Sequence, residues 1–262
     1  MKLPLSTDKT LGVSVRAGKV PEALVDQAVV RILTMKFRAG LFDHPYVDPA
    51  AAAKIVGSKD HGRLALKTAE EAIVLLKNDK SLLPLDPSHL KRLAVIGPNA
   101  DKARLGTYSG VPPYFVTVLD GIRRRVGDQV AVDFAEGCRI SVPDLDPIGN
   151  AQNPSVSLPD PKEERPRIAH AVEVAKNADA ILLVLGGNEA VSREAFGDAY
   201  MGKDKDGHPI PHLGDADTLK LPGMQDELAQ AVFATGKPVI VLLLNGRPYS
   251  IEGIADGAQA IL

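Results

Sequence analysis

Residues 180–186 read AILLVLG, an apolar run that starts after Asp179 and ends at the pair Gly186-Gly187. A run of this length bounded by turn residues is too short for a buried helix and suits a strand covered on both faces. Similar runs recur along the chain: RLAVIG (92–97), VAVDFA (130–135), PVIVLLL (238–244) and the terminal AIL (260–262). Between them lie stretches of helical pattern, RIAHAVEVAKNAD (167–179) and GMQDELAQAVFAT (223–235). Near-continuous apolar strands alternating with helices predict an α/β fold, a mostly parallel sheet sandwiched by helices.

Upstream of these strands the pattern is helical. PEALVDQAVVRILTMKF (21–37) places Pro21 in a first turn and Leu24, Ala28, Ile32 and Met35 at helical spacing before Gly40 stops it. A second helix is expected from about Lys59 to Asn78, with Leu66, Ala69, Ile73 and Leu76 as its stripe. The intervening LFDHPYVDPAAAAKIVGS (41–58) is a Pro-bearing connection. DLDPIGNAQNPSVSLPDPKEER (144–165), rich in Pro, Ser, Asp and Asn, reads as a long surface loop.

The bulk numbers narrow the function. A net charge of −2, from 31 basic and 33 acidic residues mixed along the chain, offers no continuous basic face, which argues against a nucleic-acid partner. The lone Cys138 has no intrachain partner and reads as a small buried residue. MKLPLSTDKT lacks an apolar core of signal-peptide length, and no run approaches the roughly 20 residues needed to span a bilayer, so no membrane partner is expected.

In parallel sheets ligands bind outside the carboxyl ends of the strands. GGNEAVSREAFGD (186–198) occupies that position after 180–186 and concentrates charge there. Dinucleotide binding is disfavoured: Gly97-Pro98-Asn99-Ala100 follows the first strand, Pro98 removes a backbone donor, and no Gly-x-Gly-x-x-Gly follows. ATGKP around Gly236-Lys237 lacks the upstream glycine and the Ser or Thr of a P-loop. His208 and His212 are separated by prolines and share no helical face, so they read as loop histidines, and no metal is expected. A second candidate is carboxylate chemistry on a sugar. Glycoside hydrolysis needs a proton donor and a second carboxylate as nucleophile or base. Glu189, Glu194, Asp198, Asp215 and Asp217 all qualify, and spacing does not choose among them.

The ordered series VPEALVDQAVVRILTMKFRAGLFDHPY, TAEEAIVLLKNDKSLLPL, RLAVIGPNA, FAEGC, NEAVSREAFGD, HLGDADTLKLPGMQDEL and TGKPVIVLLLNGRP resembles glycoside hydrolase family 3, the family of β-glucosidases and β-xylosidases. The resemblance implies a two-part catalytic unit: a (β/α)8-like barrel supplying an aspartate nucleophile and an α/β sandwich supplying the general acid/base. It divides the chain into residues 1–40, the last helix of an otherwise missing barrel; 41–90, a linker with a long helix; and 91–262, the sandwich, truncated at its C-terminal end. The chain is accordingly expected to be a fragment at both ends, inactive alone, with the nucleophile absent. The Ser-Asp-Trp-type segment is missing and there is no tryptophan.

The resemblance places the acid/base at Glu194 in SREAFGD, with Glu189 and Asp198 as rivals, Asp198 reading as a loop-fixing acceptor and Glu189 as a residue near the strand end. Partial burial and the nucleophile's carboxylate are expected to raise the donor's pKa toward the working pH. Two departures bear on this loop: AYMGKDKDGHPIP is inserted before HLGD, and Ala216 stands where arginine is common in the family. Tyr108 in GTYSG can stack on a sugar or anchor its loop; Lys77-Asn78 and Asn245-Gly246-Arg247-Pro248 read as turn and packing devices. The implied activity is an exo-acting retaining β-glycosidase acting on β-linked oligosaccharides or glycosides without a cofactor, in a full-length protein that is periplasmic or secreted. The competing class is a non-catalytic carbohydrate-binding or interaction module derived from the same domain.

Overall fold

The computed structural model describes residues 7–106, 112, 114–142, 157–192 and 218–262, and the chain divides into two compact units, 1–72 and 73–262. The first is helical: α1 (Thr7–Arg16), α2 (Glu22–Arg38), α3 (Pro49–Ile55) and α4 (Lys59–Ala72). Pro21 precedes α2 with a φ of −61°, and Gly40, at φ 67°, stops the chain just beyond it. Asp48 caps α3 by accepting from the Ala50 amide at 2.9 Å, with Pro49 in the first turn. No described residue of this unit is buried, and Leu24, Val30, Ile32, Met35 and Phe37 of α2 are exposed.

α4 ends at Ala72, short of the expected Asn78. Helical periodicity continues through Ile73 and Leu76, but the Leu76 amide donates to Ile261 O at 2.8 Å, which commits the backbone to the sheet. Residues 77 and 78 are then β1 (Lys77–Asn78).

The sheet of the second unit adds β2 (Arg92–Ile96), β3 (Ala131–Ala135), β4 (Ala180–Gly186), β5 (Val239–Leu244) and β6 (Ala260–Ile261), in the order β1-β6-β5-β4-β2-β3. All neighbours are parallel except β1, which runs antiparallel to β6. Each apolar run read from the sequence is one of these strands. Among the described residues four α-helices accompany them: α5 (Val118–Val126), α6 (Pro161–Lys176), α7 (Gln225–Phe233) and α8 (Glu252–Gly257).

Alternate strand residues point to opposite faces, and two buried clusters follow. Ala94 and Ile96 of β2, Ile181, Leu183 and Leu185 of β4, and Val239 and Val241 of β5 pack with Ile168 and Ala171 of α6, Leu228 and Val232 of α7, and Ile254 of α8. Leu93 and Val95 of β2 and Ala180 and Val184 of β4 pack with Leu119 of α5 on the other face. Each fully buried Leu or Ile stabilises the sandwich by about 1.5–3 kcal/mol. Cys138 lies in the first cluster with no exposed surface; burial, reinforced by Glu164 and Glu136, pushes its thiol far up.

The expected loop 144–165 is shorter than its composition suggests, because α6 begins at Pro161. Asp160 caps it by accepting from the Lys162 amide at 2.9 Å, and proline suits a first helical position. Glu164, in the first turn, is fully buried and holds the segment after β3: it accepts from Arg139 N at 2.7 Å and from Arg139 Nε at 2.8 Å.

Candidate active site

From β2 the chain passes through α5 to β3; from β4 it passes through α7 to β5, on the opposite face. β2 and β4 are neighbours, so at their carboxyl ends the chain departs to opposite sides, which makes this the switch point whose crevice takes ligands in such sheets.

Glycine shapes both departures. At Gly97 (φ 131°) an added Cβ would lie 2.0 Å from Val184 O, and at Gly186 (φ 137°) an added Cβ would lie 1.9 Å from Leu244 O. Each strand end thus turns directly over its neighbour's backbone, which no side chain permits. Gln225, fully buried at the start of α7, grips the second turn: its Oε1 accepts from Gly186 N at 2.9 Å, and its Nε2 donates to Gly186 O at 2.8 Å and Pro222 O at 2.9 Å.

Two residues past each glycine stands an asparagine. Asn99, fully buried, donates from Nδ2 to Gly187 O at 3.0 Å and so spans the crevice. Asn188 donates to Ser141 Oγ at 2.8 Å and accepts at Oδ1 from the amides of Ala190 and Val191, at 3.1 and 3.3 Å, folding the start of the loop. Arg104 donates from Nε to Asn99 Oδ1 at 2.7 Å, and its Nη1 stands 3.6 Å from Glu189 Oε2. Glu189 Oε1 accepts from the Gly106 amide at 3.3 Å. The side chains of Arg104 and Glu189 are each 9% exposed, and Oε2 of Glu189 is buried without a hydrogen bond. From β5, Arg247 donates to Val191 O at 3.4 Å, and Asn245 closes its own turn on Arg247 O at 2.7 Å. Tyr249 packs its hydroxyl against Gly187, where an added Cβ would meet it at 2.6 Å. Burial pushes the Tyr249 phenol up, against the opposing influence of Arg247 and Ser192.

Of the residues expected to do chemistry, the structure places Glu189 at the crevice. Glu194, Asp198, Asp215 and Asp217 lie outside the described residues, as do Tyr108, His208, His212 and Ala216. Asn78 is a turn device: it donates to Leu83 O and accepts from Leu83 N, both at 2.9 Å. Sequence reasoning missed Asn99, Arg104, Asn188 and Gln225. The first and third carry a readable signal, since Gly97-Pro98-Asn99 and Gly186-Gly187-Asn188 repeat one pattern after two apolar strands. Arg104 and Gln225 meet their partners only through the fold.

Comparison with known proteins agrees with this architecture. Residues 73–262 match the model of the glycosyl hydrolase family 3 C-terminal domain. The chain is 41% identical over 246 residues to a β-xylosidase of Formosa agariphila, covering 91% of this chain and 29% of that protein. It is 33% identical over 258 residues to a periplasmic β-glucosidase of Salmonella typhimurium, covering 95% of this chain and 31% of that protein. Among solved structures, a β-glucosidase from Erythrobacter marinus superimposes with a TM-score of 0.77 at 39% identity, over 96% of this chain and 32% of that one. The chain therefore spans about three tenths of the length of these relatives. Two crossing glycine turns at a switch point, the matched span and these identities lead to one assignment: the chain belongs to glycosyl hydrolase family 3, and residues 73–262 are its C-terminal domain.

Proposed function

We propose that this chain carries the general acid/base half of an exo-acting retaining β-glycosidase, of β-glucosidase or β-xylosidase type, that removes terminal β-linked sugars. The observation that carries this reading is the segment leaving β4. It enters the crevice beside β2, and its continuation bears Glu194. The named relatives, a β-xylosidase and two β-glucosidases, support the reaction class.

On this reading residues 1–40 end a barrel that contributes an aspartate nucleophile, and the chain from residue 41 to residue 72 connects it to the C-terminal domain. The nucleophile attacks the anomeric carbon while the acid/base protonates the departing glycosidic oxygen. The same group then takes a proton from the water that releases the sugar. Double displacement of this kind needs the two carboxyl groups about 5–5.5 Å apart.

Glu194 is preferred over its rivals. Both oxygens of Glu189 face donors of the same crevice wall, Gly106 N and Arg104, which is the arrangement of an anchor. Asp198 reads as a loop acceptor. The test is hydrolysis of aryl β-glycosides by the barrel-containing protein, as wild type and as Glu194→Ala, with and without azide. Slow turnover of the variant, restored by azide with a β-glycosyl azide as product, is the expected result. Wild-type turnover by Glu194→Ala would remove the assignment, and absence of turnover by the wild type on every aryl glycoside would leave a carbohydrate-binding module.

A further inference from the structure

We propose that Glu189 is a positioning residue: with Arg104 and Asn99 it ties the chain leaving β2 to the chain leaving β4, and so fixes the direction in which the chain runs on from β4 at residues 190–192. The inference rests on the reading of that segment as the acid/base loop, and goes beyond it by giving the second glutamate of the segment a separate task.

The contacts form a closed ring. Asn99 holds Gly187 O at 3.0 Å, Arg104 holds Asn99 at 2.7 Å, Arg104 faces Glu189 at 3.6 Å, and the backbone from Glu189 to Gly187 completes the circuit. The Gly106 amide, donating to Glu189 Oε1 at 3.3 Å, adds the outgoing limb of the β2 segment. Without this ring nothing in the backbone ladder joins the two segments. β2 and β4 pair only as far as Ile96 and Leu183, and the chain after each strand turns to an opposite face of the sheet. The ring therefore bridges the point where sheet pairing stops.

The chemistry of the ring suits a tie. A guanidinium and a carboxylate, each nine-tenths buried, interact with little screening by solvent. The carboxylate also accepts a backbone amide, which fixes main chain as well as side chain. Glu189 lies only a short chain step before Glu194, so a change in the direction of the chain at Glu189 moves the later side chain relative to a bound substrate.

Two arms test the proposal. In the first, hydrogen exchange of this chain is compared between wild type and Glu189→Ala, with Glu189→Gln as the variant that retains an acceptor for Gly106. Faster exchange at the Gly106, Gly187 and Ala190 amides, with the β3 amides of residues 131–135 unchanged, is expected. Equal acceleration in β3 would mean general destabilisation, and unchanged exchange at Gly106 would mean no tie; either overturns the proposal.

The second arm measures aryl β-glycoside hydrolysis by the barrel-containing protein. Glu189→Ala is expected to lower kcat about 10- to 100-fold, as a misplacement on the order of 1 Å does. KM should stay within about threefold, and the loss should grow as the leaving group becomes more basic and depends more on protonation. Azide should restore Glu194→Ala and leave Glu189→Ala slow. Azide rescue of Glu189→Ala would make Glu189 the acid/base itself and overturn the proposal. Full turnover by Glu189→Ala beside a slow Glu194→Ala would overturn it while leaving the acid/base reading intact. If Glu194→Ala turns over normally, that reading fails, and the exchange arm alone decides whether the tie exists.

Discussion

Replacing Gln225 by leucine isolates the grip on the β4 turn. The side chain is fully buried and makes three hydrogen bonds, two to the peptide groups of Gly186 and one to Pro222 O. Leucine removes all three and brings methyl groups against the Gly186 N–H and C=O. Pro222 is partly exposed and can turn to water, but Gly186 is buried. Two buried backbone groups left unsatisfied cost about 1–3 kcal/mol each. Apolar burial of the leucine offsets part of that, so the variant should lose about 3 kcal/mol. Unfolding of the chain in urea, followed by far-ultraviolet circular dichroism because there is no tryptophan, reads the loss. With a slope of about 2–3 kcal/mol/M the midpoint should fall by roughly 1 M or more. Gln225→Glu adds a second check. Its carboxylate can still accept from Gly186 N, but places an oxygen against Gly186 O and Pro222 O, so its deficit should shrink as the pH is lowered and the carboxyl can donate again. A Gln225→Leu midpoint within about 0.2 M of wild type would refute the argument.

Three further outcomes follow from the geometry. Gly97→Ala should cost well over about 3 kcal/mol in the same urea assay, because backbone stands 2.0 Å from the new Cβ, whereas Gly236→Ala, at φ 71° with open space around it, should cost about 1–2 kcal/mol. Glu164→Ala should lose about 1–3 kcal/mol by leaving the Arg139 amide without its acceptor, while Glu163→Ala, whose side chain is 65% exposed, should lose less than about 1 kcal/mol. The amides of Arg92 and Lys91, donating to Asp179 at 2.9 and 2.8 Å, hold its carboxyl below the usual range. This lowered value contributes stability above about pH 4 that is lost as the pH falls through the folded-state value. Melting temperatures of wild type and Asp179→Asn should therefore differ at neutral pH and converge in acid.

The strands were legible because each is a buried apolar run, and a parallel sheet covered on both faces needs such runs. β1 was not. Two residues carry no periodicity, and Lys77 and Asn78 are extended only because β6, at the far end of the sequence, pairs with them. The start of α6 was hidden inside a Pro- and Asp-rich stretch whose composition reads as loop, although the same Asp160-Pro161 pair serves as cap and first turn. At the crevice, position was legible and partnership was not. Glu189 could be placed at a strand end, but Arg104 and Gly106 reach it from another segment of the chain, a pairing that no spacing rule records.

The seam between β1 and β6 has a consequence for how the domain comes into being. Lys77 finds its neighbour in Ile261, and Asn78 in Ala260, so nearly the whole unit is enclosed between two partners of one ladder. On a ribosome the first of these would emerge long before the second. Residues 77 and 78 must then wait without a strand beside them, while β2 to β5 can already assemble around their own apolar faces. The entropic cost of closing so long a loop grows only with the logarithm of its length, so the late partner can still be captured once it appears. Zipping of this edge would then come after the central strands are in place.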